Sequence, residues 1–125
     1  MQELIKEFMA QKRFAVVGAT DNPEKYGNRI VKDLKRRGYT VFPVNPRLSE
    51  VEGLACYPDL TAVPEKPDVV DFVVPPPVAE KTLVECLRLG LDRIWLQPGS
   101  ESEAALAFCR EHDLKVVHDV CVMMN

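Results

Sequence analysis

The stretch Phe14-Ala15-Val16-Val17-Gly18-Ala19-Thr20 decides the fold of this chain. Its first four residues form an unbroken apolar run, which is typical of a strand buried on both faces of a parallel sheet. A turn of small residues follows. From Gly27 to Gly38 apolar residues recur at helical spacing, and the second glycine suits a helix stop. The segment therefore predicts a buried strand, a turn and a helix of an α/β fold.

The alternation of strand and helix continues along the chain. Further strands are predicted at residues 40–44, 68–74, 93–96 and 115–117. Helices are predicted at residues 2–11, at residues 78–90, and from the capping box Ser100-Glu101-Ser102-Glu103 to about Glu111. This pattern predicts a Rossmann-like α/β fold: a mostly parallel five-stranded sheet flanked by helices on both faces.

Proline and glycine mark the less regular segments. Pro43 indicates that the second strand lacks one ladder hydrogen bond. Residues 48–67 contain a glycine and three prolines, so we predict a loop with a short helix near 59–63. The prolines at 75–77 stop the third strand, because proline cannot continue a ladder. Residues 120–123 are predicted to add an apolar edge.

Composition limits the function classes. The 125 residues predict one domain spanning 1–125, with an ordinary globular share of 46% hydrophobic and 28% charged residues. The net charge of −3 argues against a nucleic-acid binder and favours a small anionic ligand held by a few placed cations and helix ends. No signal-like or membrane-spanning stretch is apparent, so we expect a cytoplasmic protein that does not bind a membrane.

The four cysteines do not form a metal-binding pattern. They lack a Cys-x-x-Cys pair, and only two histidines accompany them; their positions are Cys56, Cys86, Cys109 and Cys121. Structural zinc ligands normally come in closely spaced pairs. We therefore predict reduced thiols and no metal site.

The turn after the first strand is a candidate phosphate site. In parallel α/β sheets, ligands bind outside the carboxyl ends of the strands, and a helix N-terminus there offers free N–H groups. The strict G-x-G-x-x-G pattern fails, because Thr20 and Pro23 stand at its second and third glycine positions. A longer loop carries Lys25, which is either a phosphate ligand or a solvated surface lysine.

The end of the second strand bears on the type of nucleotide. An NAD site requires an acidic residue here to bind the ribose hydroxyls. This chain has Asn45, Pro46 and Arg47 after Val44, which favours a phosphorylated ribose. Coenzyme A carries a 3′-phosphate and NADP a 2′-phosphate, and a guanidinium can hold either. A structural salt bridge is the alternative role of Arg47.

Two further strand ends complete the candidate rim. Val74, Pro75 and Pro76 predict a rigid apolar wall suited to an adenine or a pantetheine arm, or simply a strand stop. Gln97 follows the fourth strand and begins a tight turn, Gln97-Pro98-Gly99, that sets an amide on the same rim or shapes the helix entry.

No catalytic residue is predicted. Four aspartates lie at strand starts or edges and give no evidence of an acid and base pair: Asp68, Asp71, Asp92 and Asp119. His112 and His118 are interpreted as surface or structural residues. Cys121 has apolar neighbours and is interpreted as a buried thiol. Trp95 is interpreted as a core residue or part of a self-association face.

These segments together resemble the CoA-binding domain family, small proteins similar to the nucleotide-binding domain of the succinyl-CoA synthetase α subunit. The resemblance covers almost the whole chain and rests on residues 15–20, 25–28, 44–46, 73–76, 95–99 and 119–121. It implies that the loop from Gly18 to Tyr26 holds the pyrophosphate, that Asn45 to Arg47 hold the adenosine end, and that Val74 to Pro76 face the adenine and pantetheine.

The resemblance implies binding without turnover. The synthetases use a phosphorylated histidine in a further domain, and neither histidine here matches it. The first hypothesis is therefore a non-catalytic binder of coenzyme A or acyl-CoA, with or without a protein partner. An NADP-binding enzyme subunit or redox sensor using the same site is the second hypothesis. An interaction domain that has lost its ligand is the third.

Overall fold

Five parallel strands form the centre of the protein. The computed structural model describes residues 1–125. Its strands are β1 (Arg13–Val17), β2 (Thr40–Val44), β3 (Glu50–Val51), β4 (Leu54–Ala55), β5 (Val69–Phe72), β6 (Arg93–Leu96) and β7 (Lys115–His118). Its α-helices are α1 (Gln2–Met9), α2 (Tyr26–Arg36), α3 (Pro76–Leu89) and α4 (Glu103–Glu111). Short 3-10 turns cover Leu60–Ala62 and Val122–Met124.

The strand order of the main sheet is β2-β1-β5-β6-β7, with every pair parallel. The chain moves outward from β1 to β2 and then returns to the other side of β1 to form β5. The order therefore reverses between β1 and β5, and a ligand crevice is expected at their carboxyl ends. Because β2 is an edge strand, Pro43 is tolerated there. The predicted Rossmann-like fold is confirmed.

Two apolar layers enclose the sheet. One contains Ile5 and Phe8 of α1 with Ile30, Val31 and Leu34 of α2. The other is formed by buried residues of the remaining helices: Ala79, Leu83 and Cys86 of α3, and Ala105 and Cys109 of α4. The helices therefore flank both faces, as predicted. None of them combines the length and apolar character that crossing a bilayer requires.

Trp95 belongs to the core. It is fully buried on β6, its ring centroid lies 6.2 Å from that of Phe8, and its indole Nε1 donates to the carbonyl of Val120 at 2.9 Å. Of the two interpretations drawn from the sequence, the core position is correct. The hydrogen bond also fixes the segment that follows β7 against the sheet.

Three local predictions need correction. Ser102, rather than Ser100, caps α4, because its hydroxyl accepts from the N–H of Ala105. Helix α3 begins at Pro76, since proline is well suited to the first helical position. The predicted apolar edge at 120–123 is a 3-10 turn, Val122–Met124, with Val122 buried.

The segment 48–67 holds the predicted short helix, Leu60–Ala62, together with a hairpin that was not predicted. Strands β3 and β4 pair antiparallel across Glu52 and Gly53, which both have positive φ. Each strand has only two residues, which is too short for an alternation of apolar and polar residues to be recognised.

Candidate functional site

The predicted site residues lie at the carboxyl ends of four neighbouring strands. They follow or end β1, β2, β5 and β6, and are Gly18, Ala19, Thr20, Lys25, Tyr26, Val44, Asn45, Pro46, Arg47, Val74, Pro75, Pro76 and Gln97. Since parallel strands end at one edge of the sheet, these residues share one rim. The rim includes the crevice where the strand order reverses.

Two glycines allow β1, β5 and α2 to meet at this crevice. Gly18 has φ +99°, and a Cβ there would lie 2.2 Å from the carbonyl oxygen of Val73. A Cβ on Gly27, in the first turn of α2, would lie 2.1 Å from the carbonyl oxygen of Gly18. In the short dinucleotide fingerprint the third glycine permits this close packing. Here Gly27 provides it at the end of a longer loop, a role that the residue pattern alone does not reveal.

Side-chain hydrogen bonds hold the loop between β1 and α2. The hydroxyl of Thr20 accepts from the N–H of Asn22, whose own side chain accepts from the N–H of Glu24 at 3.0 Å. The fully buried Asn28 donates from Nδ2 to the carbonyl of Thr20 and to a carboxylate oxygen of Glu52, each at 3.0 Å. Hydrogen bonds within the chain therefore fix the conformation of this loop.

The N-terminus of α2 has free hydrogen-bond donors. The backbone N–H groups of Tyr26 and Gly27 have no acceptor within the chain, and no side chain caps the helix at Lys25. The first turn carries no acidic residue, and the exposed Lys25 forms no ion pair. A helix N-terminus with free N–H groups beside an unpaired ammonium is suited to an anion such as phosphate.

Asn45 joins the end of β2 to this loop. Its Nδ2 donates to the carbonyl of Ala19 at 2.8 Å, and its Oδ1 accepts from the N–H of Arg47 at 2.8 Å. The Asn45 side chain therefore positions its neighbours. Arg47 is exposed, and its guanidinium has no carboxylate partner, so the salt-bridge alternative for this residue lacks a partner in the structure.

The end of β5 and the start of α3 form an apolar rim. Pro75 and Pro76 supply no backbone N–H groups, and the N–H and carbonyl of Val74 are both used by the hydroxyl of Ser100, at 3.1 and 2.7 Å. An open hollow of about 410 Å³ lies here, lined by Val73, Val74, Pro75, Pro76, Pro98, Gly99 and Ser100. Ser100 is thus a structural residue of the rim. The sequence pattern had instead suggested that Ser100 caps α4.

A more enclosed pocket of about 240 Å³ lies on the α2 side of the rim. Its walls come from α2, the ends of β5 and β6, and the C-terminal turn: Tyr26, Ile30, Val73, Gln97, Pro98, Cys121, Met123 and Met124. Val73 and Pro98 also line the open hollow, so the two spaces adjoin. The two methionines reach this pocket through the turn at Val122–Met124, which the residue pattern does not predict.

A buried polar pair lies beside this pocket. Asp71 is fully buried within β5, so its assignment to a strand start or edge was wrong. Gln97 donates from Nε2 to Asp71 Oδ1 and accepts from the N–H of Val122 at 3.2 Å. Burial raises the pKa of Asp71 to about 7. Both ends of the Gln97 amide are therefore used within the protein, and they hold the C-terminal turn over β5 and β6.

Burial disfavours the reactive thiolate form of the cysteines. Burial raises the pKa of the half-buried Cys121 thiol, and it raises that of Cys109 to about 11. A protonated thiol is a poor nucleophile. His118 at the end of β7 pairs its Nδ1 with Asp119 Oδ2 at 2.8 Å, and no group of metal-ligating residues is present.

Known proteins are similar to this chain in sequence. A family model described as CoA binding domain matches residues 12–125. The α subunit of the ADP-forming acetate–CoA ligase II of Pyrococcus furiosus is 35% identical over 98% of this chain and 29% of the subunit. The uncharacterized protein YneT of Bacillus subtilis is 29% identical over 94% of this chain and 88% of YneT.

A solved structure of similar size has the same fold. A conserved hypothetical protein from Pyrococcus furiosus has a TM-score of 0.88 and 41% identity, covering 91% of this chain and 98% of that one. The chain therefore spans less than a third of the ligase subunit and nearly all of this smaller protein. Because the family model matches residues 12–125 and the ligase subunit is 35% identical over 98% of this chain, the chain belongs to the CoA-binding domain family.

Proposed function

We propose that residues 1–125 act as one unit that binds coenzyme A, or an acyl-CoA, without turning it over. One observation carries the proposal: two unpaired N–H groups of α2, at Tyr26 and Gly27, lie on the same rim as two unpaired cations, Lys25 and Arg47. In a chain of net charge −3, such a local concentration of donors favours an anionic ligand. The family supports coenzyme A as that ligand.

Each part of coenzyme A has a matching part of the rim. We assign the pyrophosphate to the loop of Gly18, Ala19 and Thr20 with Lys25 and Tyr26. The 3′-phosphorylated adenosine is assigned to Val44, Asn45, Pro46 and Arg47, where the guanidinium can form paired charge-assisted hydrogen bonds. The adenine and the pantetheine arm are assigned to the apolar surface of Val74, Pro75 and Pro76, with Gln97 fixing the adjoining wall.

Binding without turnover agrees with the chemistry of the rim. The thiol of Cys121, which lines the pocket of about 240 Å³, has a raised pKa, and no carboxylate or histidine lines that pocket. We therefore propose that the protein holds or presents coenzyme A, and that a partner protein uses it. The ligase subunit that this chain resembles is itself one part of a larger protein.

NADP is the second candidate ligand. The free guanidinium of Arg47 and the absence of an acidic residue at the end of β2 suit a 2′-phosphate as well as a 3′-phosphate. Under this alternative the chain would be a subunit of an enzyme or a redox sensor.

A thermal-shift panel separates the two ligands. We expect the unfolding midpoint to rise most with coenzyme A, less with dephospho-CoA, which lacks the 3′-phosphate, and little with NADP or NAD. A ligand at one hundred times its Kd adds about 2.7 kcal/mol of stability, which moves the midpoint of a domain of this size by several degrees. A larger rise with NADP than with coenzyme A would replace the proposal with its alternative.

Substitution of Arg47 tests its role in the same assay. In Arg47→Ala the responses to coenzyme A and dephospho-CoA should become equal, because the 3′-phosphate loses its partner. Arg110→Ala is the matched control: Arg110 is exposed, forms no ion pair and lies in the last turn of α4, at the opposite edge of the sheet. Discrimination that persists in Arg47→Ala would remove this residue from the 3′-phosphate site.

A further inference from the structure

The pocket of about 240 Å³ on the α2 side is continuous with the proposed ligand path. Tyr26 belongs to both sites: its backbone N–H is free at the candidate phosphate site, and the residue also lines this pocket. Val73 and Pro98 line both the pocket and the open hollow assigned to the pantetheine arm. A ligand that follows the rim from the phosphate site can therefore enter the pocket with its other end.

The pocket is larger than the thiol of coenzyme A requires. An apolar cavity of about 150 Å³ holds one benzene molecule. By that measure a volume of about 240 Å³ has room for an acyl group of up to roughly nine carbon and oxygen atoms. The side chains of Ile30, Met123 and Met124 give it apolar and adaptable walls.

The surroundings disfavour a charged acyl group. No lysine or arginine lines the pocket; Arg29 lies on the Tyr26 ring, 5.7 Å from its centroid, outside the lining. The amide of Gln97 is already paired at both ends, and behind it lies the buried carboxyl group of Asp71, whose Oδ2 has no hydrogen-bond partner. A carboxylate in this space would have no counter-ion, so its removal from water would be costly.

We propose, on the basis of the proposed coenzyme A site, that this pocket takes the acyl group of an acyl-CoA and selects uncharged, apolar acyl groups of about four to eight carbons. Cys121 forms part of the wall and does not react with the thioester. Its raised pKa keeps the thiol protonated, which agrees with storage or presentation of an intact thioester.

Calorimetric titration with four ligands tests the selection. We expect hexanoyl-CoA to bind at least about tenfold more tightly than coenzyme A, butyryl-CoA to lie between them, and succinyl-CoA to bind no more tightly than coenzyme A. Equal affinities for hexanoyl-CoA and coenzyme A would overturn the acyl pocket while leaving the coenzyme A site intact. If no ligand binds, the proposed function and the pocket both fail.

Variants of Cys121 locate the effect. Cys121→Phe should fill the pocket and bring the ratio of the hexanoyl-CoA and coenzyme A affinities close to one, and Met123→Phe is a second variant with the same expectation. Val84→Phe, at an exposed position of α3, is the matched control and should keep the preference. Cys121→Ala should also keep it; loss of the preference there would show that the thiol, rather than the cavity, selects the ligand.

Discussion

Asp71 shows how strongly one residue can depend on its surroundings. Its carboxyl group is fully buried, has one hydrogen-bond partner in Gln97, and has no counter-ion. Desolvation therefore favours the neutral acid and raises its pKa from 3.8 to about 7. Gln97, which donates to Asp71, also accepts from the N–H of Val122. It thereby links Asp71 to the C-terminal turn that lines the proposed acyl pocket.

This pKa predicts a specific pH dependence of stability. Between about pH 4 and pH 7 the folded state holds a proton on Asp71 that the unfolded state has released, so the free energy of unfolding falls as the pH rises through this window. Above about pH 7 this contribution is constant. The asparagine side chain in Asp71→Asn resembles the neutral carboxylic acid and does not ionise, so this variant lacks the pH-dependent contribution of Asp71.

Urea denaturation at pH 5 and pH 8 measures the effect. The stability of Asp71→Asn relative to the natural protein should be greater at pH 8 than at pH 5, by on the order of 2–4 kcal/mol. Asp92→Asn is the control, because it changes an exposed carboxylate and should show no such difference between the two pH values. Gln97→Glu is unsuitable, since it adds a second acid. A relative stability that is independent of pH would contradict the buried neutral state.

At the scale of elements, the connection between β1 and α2 depends on two glycines. The residue pattern predicted the strand, the loop and the helix, because each has a local signature. The contact of Gly27 with the Gly18 carbonyl could not be predicted, since it joins residues nine positions apart through a loop of unspecified path. The hairpin of β3 and β4 and the turn at Val122–Met124 could not be predicted either. Both are too short for apolar residues to recur at strand or helix spacing.

The Gly18 contact can be tested against a glycine with the same backbone angle. Gly18 and Gly38 have φ of +99° and +95°, but only at Gly18 would a Cβ meet other atoms within 4 Å. Alanine in this left-handed region costs roughly 1–2 kcal/mol by itself. We expect Gly38→Ala to lose about that amount of stability and Gly18→Ala to lose about 1–3 kcal/mol more, because β5 or α2 must move. Equal losses in chemical denaturation would show that the crevice is not close-packed.

At the scale of the whole molecule, the sequence was sufficient for the fold class and for the family. Short segments rich in apolar residues identified the five main strands, and the residues after them identified one edge of the sheet. What the sequence could not show was how the C-terminal segment packs. Trp95 donates to the Val120 carbonyl and Gln97 accepts from the Val122 N–H, and each of these hydrogen bonds joins residues 25 positions apart. The acyl pocket therefore emerged only from the three-dimensional arrangement.

The central claim is that the free N–H groups at the start of α2 hold the pyrophosphate of coenzyme A. An amide-resolved NMR titration of the full chain with coenzyme A tests it most directly. We predict the largest shift changes at the N–H signals of Tyr26 and Gly27, with little change at Gly38 and Gly90, which follow helices at the opposite edge of the sheet. Saturating binding that leaves the Tyr26 and Gly27 signals unmoved, or no binding at millimolar coenzyme A, would contradict the account.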